Sequence, residues 1–296
     1  MNQQSNPSPS PRLGGWPGGS GWGMALASIA SGRAQALTRK GLRPPPTRRF
    51  APPSPRWGRE TVCTLMLGFA LLLGFAAHAQ SPLSPPGLPA DRFPAPARPV
   101  ASIISDRWAS EDQRERVGEA AKVMEFMAIR PCMTVADIGA GSGYYVARLS
   151  PRVGPTGRVL AQDVVPSYLA ALARRVQREG LDNVTVSLGD AHDPRLPPAS
   201  VDVALLVHMY HEIGQPFGLM HNLLPALRPG ARIGILDTTR PTQQHGTPLT
   251  LLDCELGAVG YRRVATLPLE NGAEYLAVFE PPAQAPDPAV IKPCQP

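Results

Sequence analysis

Thr134-Val135-Ala136-Asp137-Ile138-Gly139-Ala140-Gly141-Ser142-Gly143-Tyr144 is the stretch on which the reading of this chain turns. Thr134 to Ile138 is a short apolar run with one acid, which fits a buried strand. Glycines at 139, 141 and 143 follow, and from Tyr144 to about Leu149 the pattern is helical. A glycine-rich turn between strand and helix lets the backbone bend sharply and lets a ligand approach with no Cβ in the way. The spacing is GxGxG. A dinucleotide fingerprint needs glycine where Tyr144 stands, and a phosphate loop needs Gly-Lys-Ser/Thr, which does not occur here.

Working outward, strands and helices alternate. Ser110-Glu111-Asp112-Gln113 reads as a capping box opening one helix, with Val117, Ala120, Ala121, Met124 and Met127 on one face. Strands are expected at 158–163, 184–188, 201–207 and 233–236, and helices at 167–179, from 216 to about 227, and from Thr247-Pro248 to Gly260. The run 201–207 is nearly all apolar, as a central parallel strand covered on both faces must be. The C-terminus breaks the alternation: runs 261–269 and 274–280 flank Asn271-Gly272, a strong hairpin signal. Five βα units thus end in an antiparallel pair.

Acids recur at the carboxyl ends of successive strands, where open α/β sheets bind ligands. Asp163, closing the second strand, can accept both hydroxyls of a ribose. Asp190, after the third, can accept an amino hydrogen from adenine. Asp137 can face a cationic amine. Each also reads singly as a cap, a turn residue or a solvated group; the series fits a ligand with a ribose, an adenine and an amino acid but no pyrophosphate. S-adenosylmethionine has those parts.

Residues 105–280 resemble the class I S-adenosylmethionine-dependent methyltransferases of small-molecule type. VADIGAGSGYY (135–145) is similar to the family's first motif, GRVLAQDV (157–164) to its second and LGDAHDPRLPPASVDVALLVHMYHE (188–212) to its third and fourth. LRPGARIGILD (227–237) resembles the later Pro-Gly-Gly signature, with Ala231 in place of the second glycine. The resemblance implies a Rossmann-like three-layer αβα sandwich, with a seven-stranded, mostly parallel sheet and an antiparallel C-terminal hairpin strand. It implies S-adenosyl-L-methionine as cofactor, with Gly139, Ala140, Gly141 and Gly143 along its methionine part beside Asp137, Asp163 on the ribose, Asp190 and Ala191 on the adenine, and His208 in contact with it. No Asn/Asp-Pro-Pro-Tyr/Phe motif of the DNA-amino enzymes occurs. The segment after the fifth strand, TTRPTQQHGT (238–247), is a short cover, which implies an open or small substrate site.

Methyl transfer needs a base only if the acceptor must lose a proton. His211 is the first candidate, with a side chain that titrates near neutral pH; the other reading makes it a packing histidine. His208, Tyr210, Glu212 and His245 are the neighbouring candidates. No metal-ligand spacing is visible, since His208 and His211 lack a clear third ligand.

The flanks differ from the domain. Residues 1–60 hold eight Arg, one Lys, one Glu and nine Gly, a net +8, whereas the whole chain is +6. The excess of positive charge belongs to this extension, which argues against a basic nucleic-acid-binding domain. Its composition predicts a disordered, Pro/Gly/Arg-rich segment. Residues 61–79 follow two arginines, run apolar from Thr64 to Ala77 and end Ala77-His78-Ala79. That is the pattern of a signal peptide, or of a short anchor, through which alone membrane contact is expected. The expected place is therefore exported or periplasmic after cleavage near Ala79, membrane-anchored, or cytoplasmic if the segment is not a signal. Residues 80–104 read as a Pro-rich linker, 105–281 as the methyltransferase domain and 282–296 as a disordered tail. Cys132, Cys254 and Cys294 would remain after cleavage, with Cys132 and Cys254 read as packing residues. Export of such a domain leaves two functions open: an enzyme acting on a small-molecule methyl acceptor, or a non-catalytic module that binds S-adenosylmethionine. A nucleotide-dependent oxidoreductase is opposed by Tyr144 and the terminal hairpin.

Overall fold

The computed structural model describes residues 82–104, 110–269 and 272–294. The expected extension and signal-like segment lie outside the described residues, as does Asn271 of the expected hairpin turn.

Seven strands form one sheet: β1 (Thr134–Ile138), β2 (Arg158–Asp163), β3 (Val184–Leu188), β4 (Val201–Val207), β5 (Leu227–Thr238), β6 (Arg262–Leu269) and β7 (Glu274–Glu280). Their order is β3-β2-β1-β4-β5-β7-β6. β1 to β5 pair in parallel, and β7 pairs antiparallel with both β5 and β6. Successive residues of a strand face opposite layers. Val159 and Ala161 therefore join the cluster under α2 (Glu119–Phe126), α3 (Tyr144–Val153) and α4 (Pro166–Glu179), while Leu160 joins the one under α5 (Pro216–Leu223) and α6 (Leu249–Ala258). The result is the three-layer αβα sandwich that the family resemblance implies. The order reverses between β1 and β4, and that crevice is where a ligand belongs.

The first helix differs from expectation. The Ser110–Gln113 capping box forms, but α1 (Glu111–Arg116) ends after six residues, and Gly118, at φ 65°, breaks the helix and caps α2. The helix expected to reach Leu227 stops at Leu223 in favour of one 3-10 turn, Leu224–Ala226. Pro225 in that turn has no N–H to continue an α-helix.

The two flanking segments also differ from expectation. Residues 82–104, expected to be a linker, lie on the domain as an extended strap. Gly87 N–H donates to Asp193 Oδ2 at 2.7 Å, Leu88 exchanges hydrogen bonds with the Asn222 amide, and Thr242 Oγ1 donates to Pro99 O at 2.7 Å. Phe93 enters the core and packs its ring against His221. Arg98 is fully buried by its side chain and pairs at 2.8 Å with Glu255, which is equally buried. Residues 282–294, expected to be disordered, are docked too. Ile291 and Cys294 are buried, and Cys294 forms a disulfide with Cys254. Cys254 is thus a cross-link, not a packing residue. Cys132 faces Thr156 Oγ1 at 3.0 Å.

Candidate functional site

One cleft opens at the carboxyl ends of β1, β2, β3 and β4. Its wall includes Asp137, Gly139, Ala140, Gly141, Asp163, Asp190, Ala191 and His208. Eight of the residues singled out from the sequence are therefore brought together, from four separate strand ends.

The glycine turn forms as its composition requires, with Gly139 at φ 74°, Gly141 at 51° and Gly143 at 84°. Gly143 departs from its expected role. It caps α3 away from the cleft, and a Cβ there would come within 2.3 Å of Leu172 Cδ1. It is needed for packing α3 against α4. Asp163 is buried and ties the turn together: Oδ2 accepts the Gly141 N–H and Oδ1 the Val165 N–H, both at 2.9 Å. A carboxylate has about four acceptor sites, so capacity remains toward the cleft. Asp190 lies on the wall, but its carboxylate is half exposed and paired with Arg195 at 2.9 Å. Asp137 is almost wholly buried, and that burial, with Asp163 nearby and only partly offset by Arg114, pushes its carboxyl up to about 7.

His211 is the main correction. It is fully buried and does not line the cleft; its Nδ1 lies 3.0 and 3.1 Å from the two Asp237 oxygens. Without access to the cleft, it cannot take a proton from an acceptor directly. His208 does line the cleft. It adopts φ 51°, a left-handed backbone uncommon for a side-chain-bearing residue and frequent at functional sites. Its Nε2 stands 3.6 Å from Glu119 Oε2. Glu119 also accepts from Arg114, at 2.6 Å from Nη2, and from the Tyr145 hydroxyl at 2.9 Å. Although burial alone would raise it, hydrogen bonding to His208 and Arg114 holds the Glu119 carboxyl down at about 2. The Arg114 guanidinium stacks 3.9 Å from the Tyr144 ring centroid.

Arg114, Tyr144, Tyr145 and Met209 belong to the wall and were missed from the sequence as wall residues, whereas Glu212, one of the neighbouring base candidates, is found on it. Ile103 and Ile104, which the strap brings to the cleft, were missed too. The Ile104 N–H donates to Glu212 Oε1 at 3.0 Å. Burial, foremost, raises the Glu212 carboxyl. The cover that the short 238–247 segment does not supply is contributed from the N-terminal side.

The donor set fits S-adenosylmethionine. A bare glycine turn lies beside one buried acid for an ammonium and a second for a sugar. Val164, Ala191 and Leu219 offer apolar surface, and among the described residues no cationic cluster for a pyrophosphate joins them.

Residues 135–230 match the family model described as a methyltransferase domain. Arsenite methyltransferase of Halobacterium salinarum is 24% identical over 171 residues, covering 52% of this chain and 44% of that protein. Nocamycin O-methyltransferase of Saccharothrix syringae is 30% identical over 125 residues, 41% of this chain and 44% of that one. The ubiquinone/menaquinone biosynthesis C-methyltransferase of Ectopseudomonas mendocina is 26% identical over 171 residues, 57% and 65% respectively. The chain thus spans less than half of the first two relatives and under two thirds of the third. Among solved structures, a SAM-dependent methyltransferase from Aquifex aeolicus superposes with a TM-score of 0.53 at 24% identity, covering 56% of this chain and 92% of that one, a likeness of fold. Cleft, topology and family model agree: residues 135–230 match a methyltransferase domain, and the fold around them is that of the class I S-adenosylmethionine-dependent methyltransferases.

Proposed function

We propose that the protein transfers a methyl group from S-adenosylmethionine to a small-molecule acceptor. The observation that carries this is the convergence of Asp137, the 139–141 turn, Asp163 and Ala191 on one cleft whose remaining wall holds His208, Arg114 and two tyrosines. The cofactor supplies an already activated methyl group. The chain must orient it, exclude water and manage a proton. Asp163 and the turn orient the sugar. The strap residues Ile103 and Ile104 restrict water. His208 is the base in this reading, in place of His211. Glu119, ionised throughout the physiological range, stands 3.6 Å from Nε2 and orients the ring.

The named relatives act on arsenite, on an oxygen and on a carbon, so the acceptor atom stays open. The test is methyl transfer from labelled S-adenosylmethionine to a panel of thiols, phenols, amines and arsenite. Turnover with one class that drops at least about 100-fold in His208→Asn, at unchanged cofactor affinity, supports the reading. Tight binding with no transfer to any class would overturn it in favour of a binding module.

We also propose that the domain works in an oxidising compartment. A disulfide persists where thiols are not kept reduced, and Cys254–Cys294 pins the tail. Mass spectrometry of the protein from its native host should show a mature start near Gln80 and an oxidised pair. An intact N-terminus with both thiols reduced would contradict it.

Asp137 predicts a pH dependence of cofactor binding. A protonated carboxyl cannot pair with an ammonium, and Asp137 titrates at about 7 before the ligand enters. The dissociation constant should be flat just above pH 7 and rise toward about tenfold per unit as pH falls from 7 to about 5.5, with proton release on binding. Asp137→Asn should bind more weakly and without the slope. The same shift has a stability consequence. Between the ordinary value of 3.8 and about 7 the folded state holds the proton more tightly than the unfolded chain, so the ligand-free protein should lose stability as pH rises through that window. Calorimetric titration across the range checks binding, and denaturant unfolding checks stability.

A further inference from the structure

His211, displaced from the role of base, stands in a different arrangement. Each of His211, Glu212 and His245 offers one ligand atom, and the three atoms lie within 4.8 Å of one another. His211 and Glu212 come from the single turn after β4, and His245 from the loop between β5 and α6. The imidazoles of His211 and His245 are edge to face at 87°, with centroids 5.4 Å apart. Two imidazoles on one tetrahedral ion, at metal–nitrogen distances of about 2.0–2.1 Å, place their centroids roughly 5 Å apart.

The shell behind this group is also built. Nδ1 of His211 is engaged by Asp237, which leaves Nε2 as the donor to the group. Asp237 is fully buried and is itself held by the Thr247 hydroxyl at 2.7 Å and the Thr238 N–H at 2.8 Å. A carboxylate behind the far nitrogen fixes the tautomer and orientation of a metal-binding histidine. We infer that His211, Glu212 and His245 form a site for a divalent first-row transition metal of the zinc type. Two imidazoles and one carboxylate suit such an ion better than magnesium or calcium, which prefer oxygen. Three protein ligands leave a position for water or a ligand oxygen, and Glu212 puts the site on the wall of the cofactor cleft.

A second group, Glu119, His208 and Glu274, has similar spacing. There Glu119 is already taken by Arg114 and Tyr145, and the guanidinium opposes a cation. It serves as the internal control.

The experiment is a titration of the full chain, freed of metal by a chelator, with Co2+, followed by its visible d–d bands. Zn2+ displacement and S-adenosylhomocysteine affinity are measured on the same samples. One equivalent of Co2+ with the intense bands of four- or five-coordination, displaced by Zn2+, is expected. His245→Asn, which tolerates the left-handed backbone at that position (φ 56°), should lower Co2+ affinity at least about tenfold while retaining S-adenosylhomocysteine binding. Glu212→Gln should lower it likewise, and Asp237→Asn by about 10–100-fold. His208→Asn should leave it unchanged. Absence of the bands at one equivalent overturns the inference, as do bands indifferent to His245→Asn and Glu212→Gln, or lost in His208→Asn. Metal binding is read without methyl transfer, so its failure leaves the proposed activity standing, and the reverse holds.

Discussion

Asp163→Ala is expected to weaken S-adenosylmethionine binding by about 100-fold or more. Hydrogen bonds to a charged group contribute about 1.5–3 kcal/mol each, and 1.4 kcal/mol is tenfold in affinity. The side chain acts twice. In the free protein its two oxygens hold the N–H groups of Gly141 and Val165, so the turn and the entry to α4 are fixed relative to one another before any ligand arrives. In the proposed function the same carboxylate also accepts from the sugar hydroxyls. Alanine removes both contributions. Asp163→Asn keeps one carbonyl oxygen, hence one clamp, and should lose roughly tenfold. The sugar is common to S-adenosylhomocysteine, so both compounds should weaken equally. A loss below about threefold for alanine, measured by calorimetry, would place the ribose elsewhere.

The bounds of β1 to β4 were legible because each is a short apolar run closed by a turn signal, and buried parallel strands leave little freedom in composition. The acids at their ends were legible for the same reason: a strand read correctly fixes where its last residue lies. What failed was contact between distant segments. The proline content of residues 82–104 signals the absence of long helix or strand but carries no information on contact. A segment with prolines at 82, 85, 86, 89, 94, 96 and 99 has few N–H groups to satisfy. It can therefore lie on a surface in extended form, held by a few side-chain acceptors such as Asp193 and Asn222. The Cys254–Cys294 pair, 40 residues apart with one member in the tail, carried no local signal. His208 and His211 are three apart, yet only the first faces the cleft. The left-handed backbone at His208 and the 3-10 turn after it send the second into the core. No propensity encodes that reversal. Arg114 and Glu119 straddle the break at Gly118, and a single helix drawn through them hid their pairing across it.

Arg98→Met is expected to destabilise the fold by about 3–5 kcal/mol, the range for removing one partner of a buried ion pair. Both side chains of the Arg98–Glu255 pair are fully buried. Arg98 also donates to the carbonyls of Tyr210 and Ile213, at 3.3 and 3.4 Å, so it joins the strap, α6 and the turn after β4. Its guanidinium lies 5.5 Å from the centre of the Tyr210 ring. Burial, foremost, with the Glu255 carboxylate beside it, pushes the Tyr210 phenol well above its ordinary range. Methionine fills much of the arginine volume and leaves that charge without its cation. The cost should therefore come from the stranded carboxylate more than from a cavity. The double variant Arg98→Met, Glu255→Leu separates the two: removing both charges should recover most of the loss, because a buried pair replaced by apolar groups is often neutral. Denaturant unfolding of the single and double variants gives both numbers. The strap delivers Ile103 and Ile104 to the cleft wall, so the single variant should also bind S-adenosylmethionine more weakly under conditions where it remains folded. A single variant that costs under about 1 kcal/mol would mean that the strap is held by Phe93 and its backbone contacts and that the ion pair adds nothing; a costly single variant that the double variant does not rescue would place the loss in Arg98's packing and its bonds to the Tyr210 and Ile213 carbonyls.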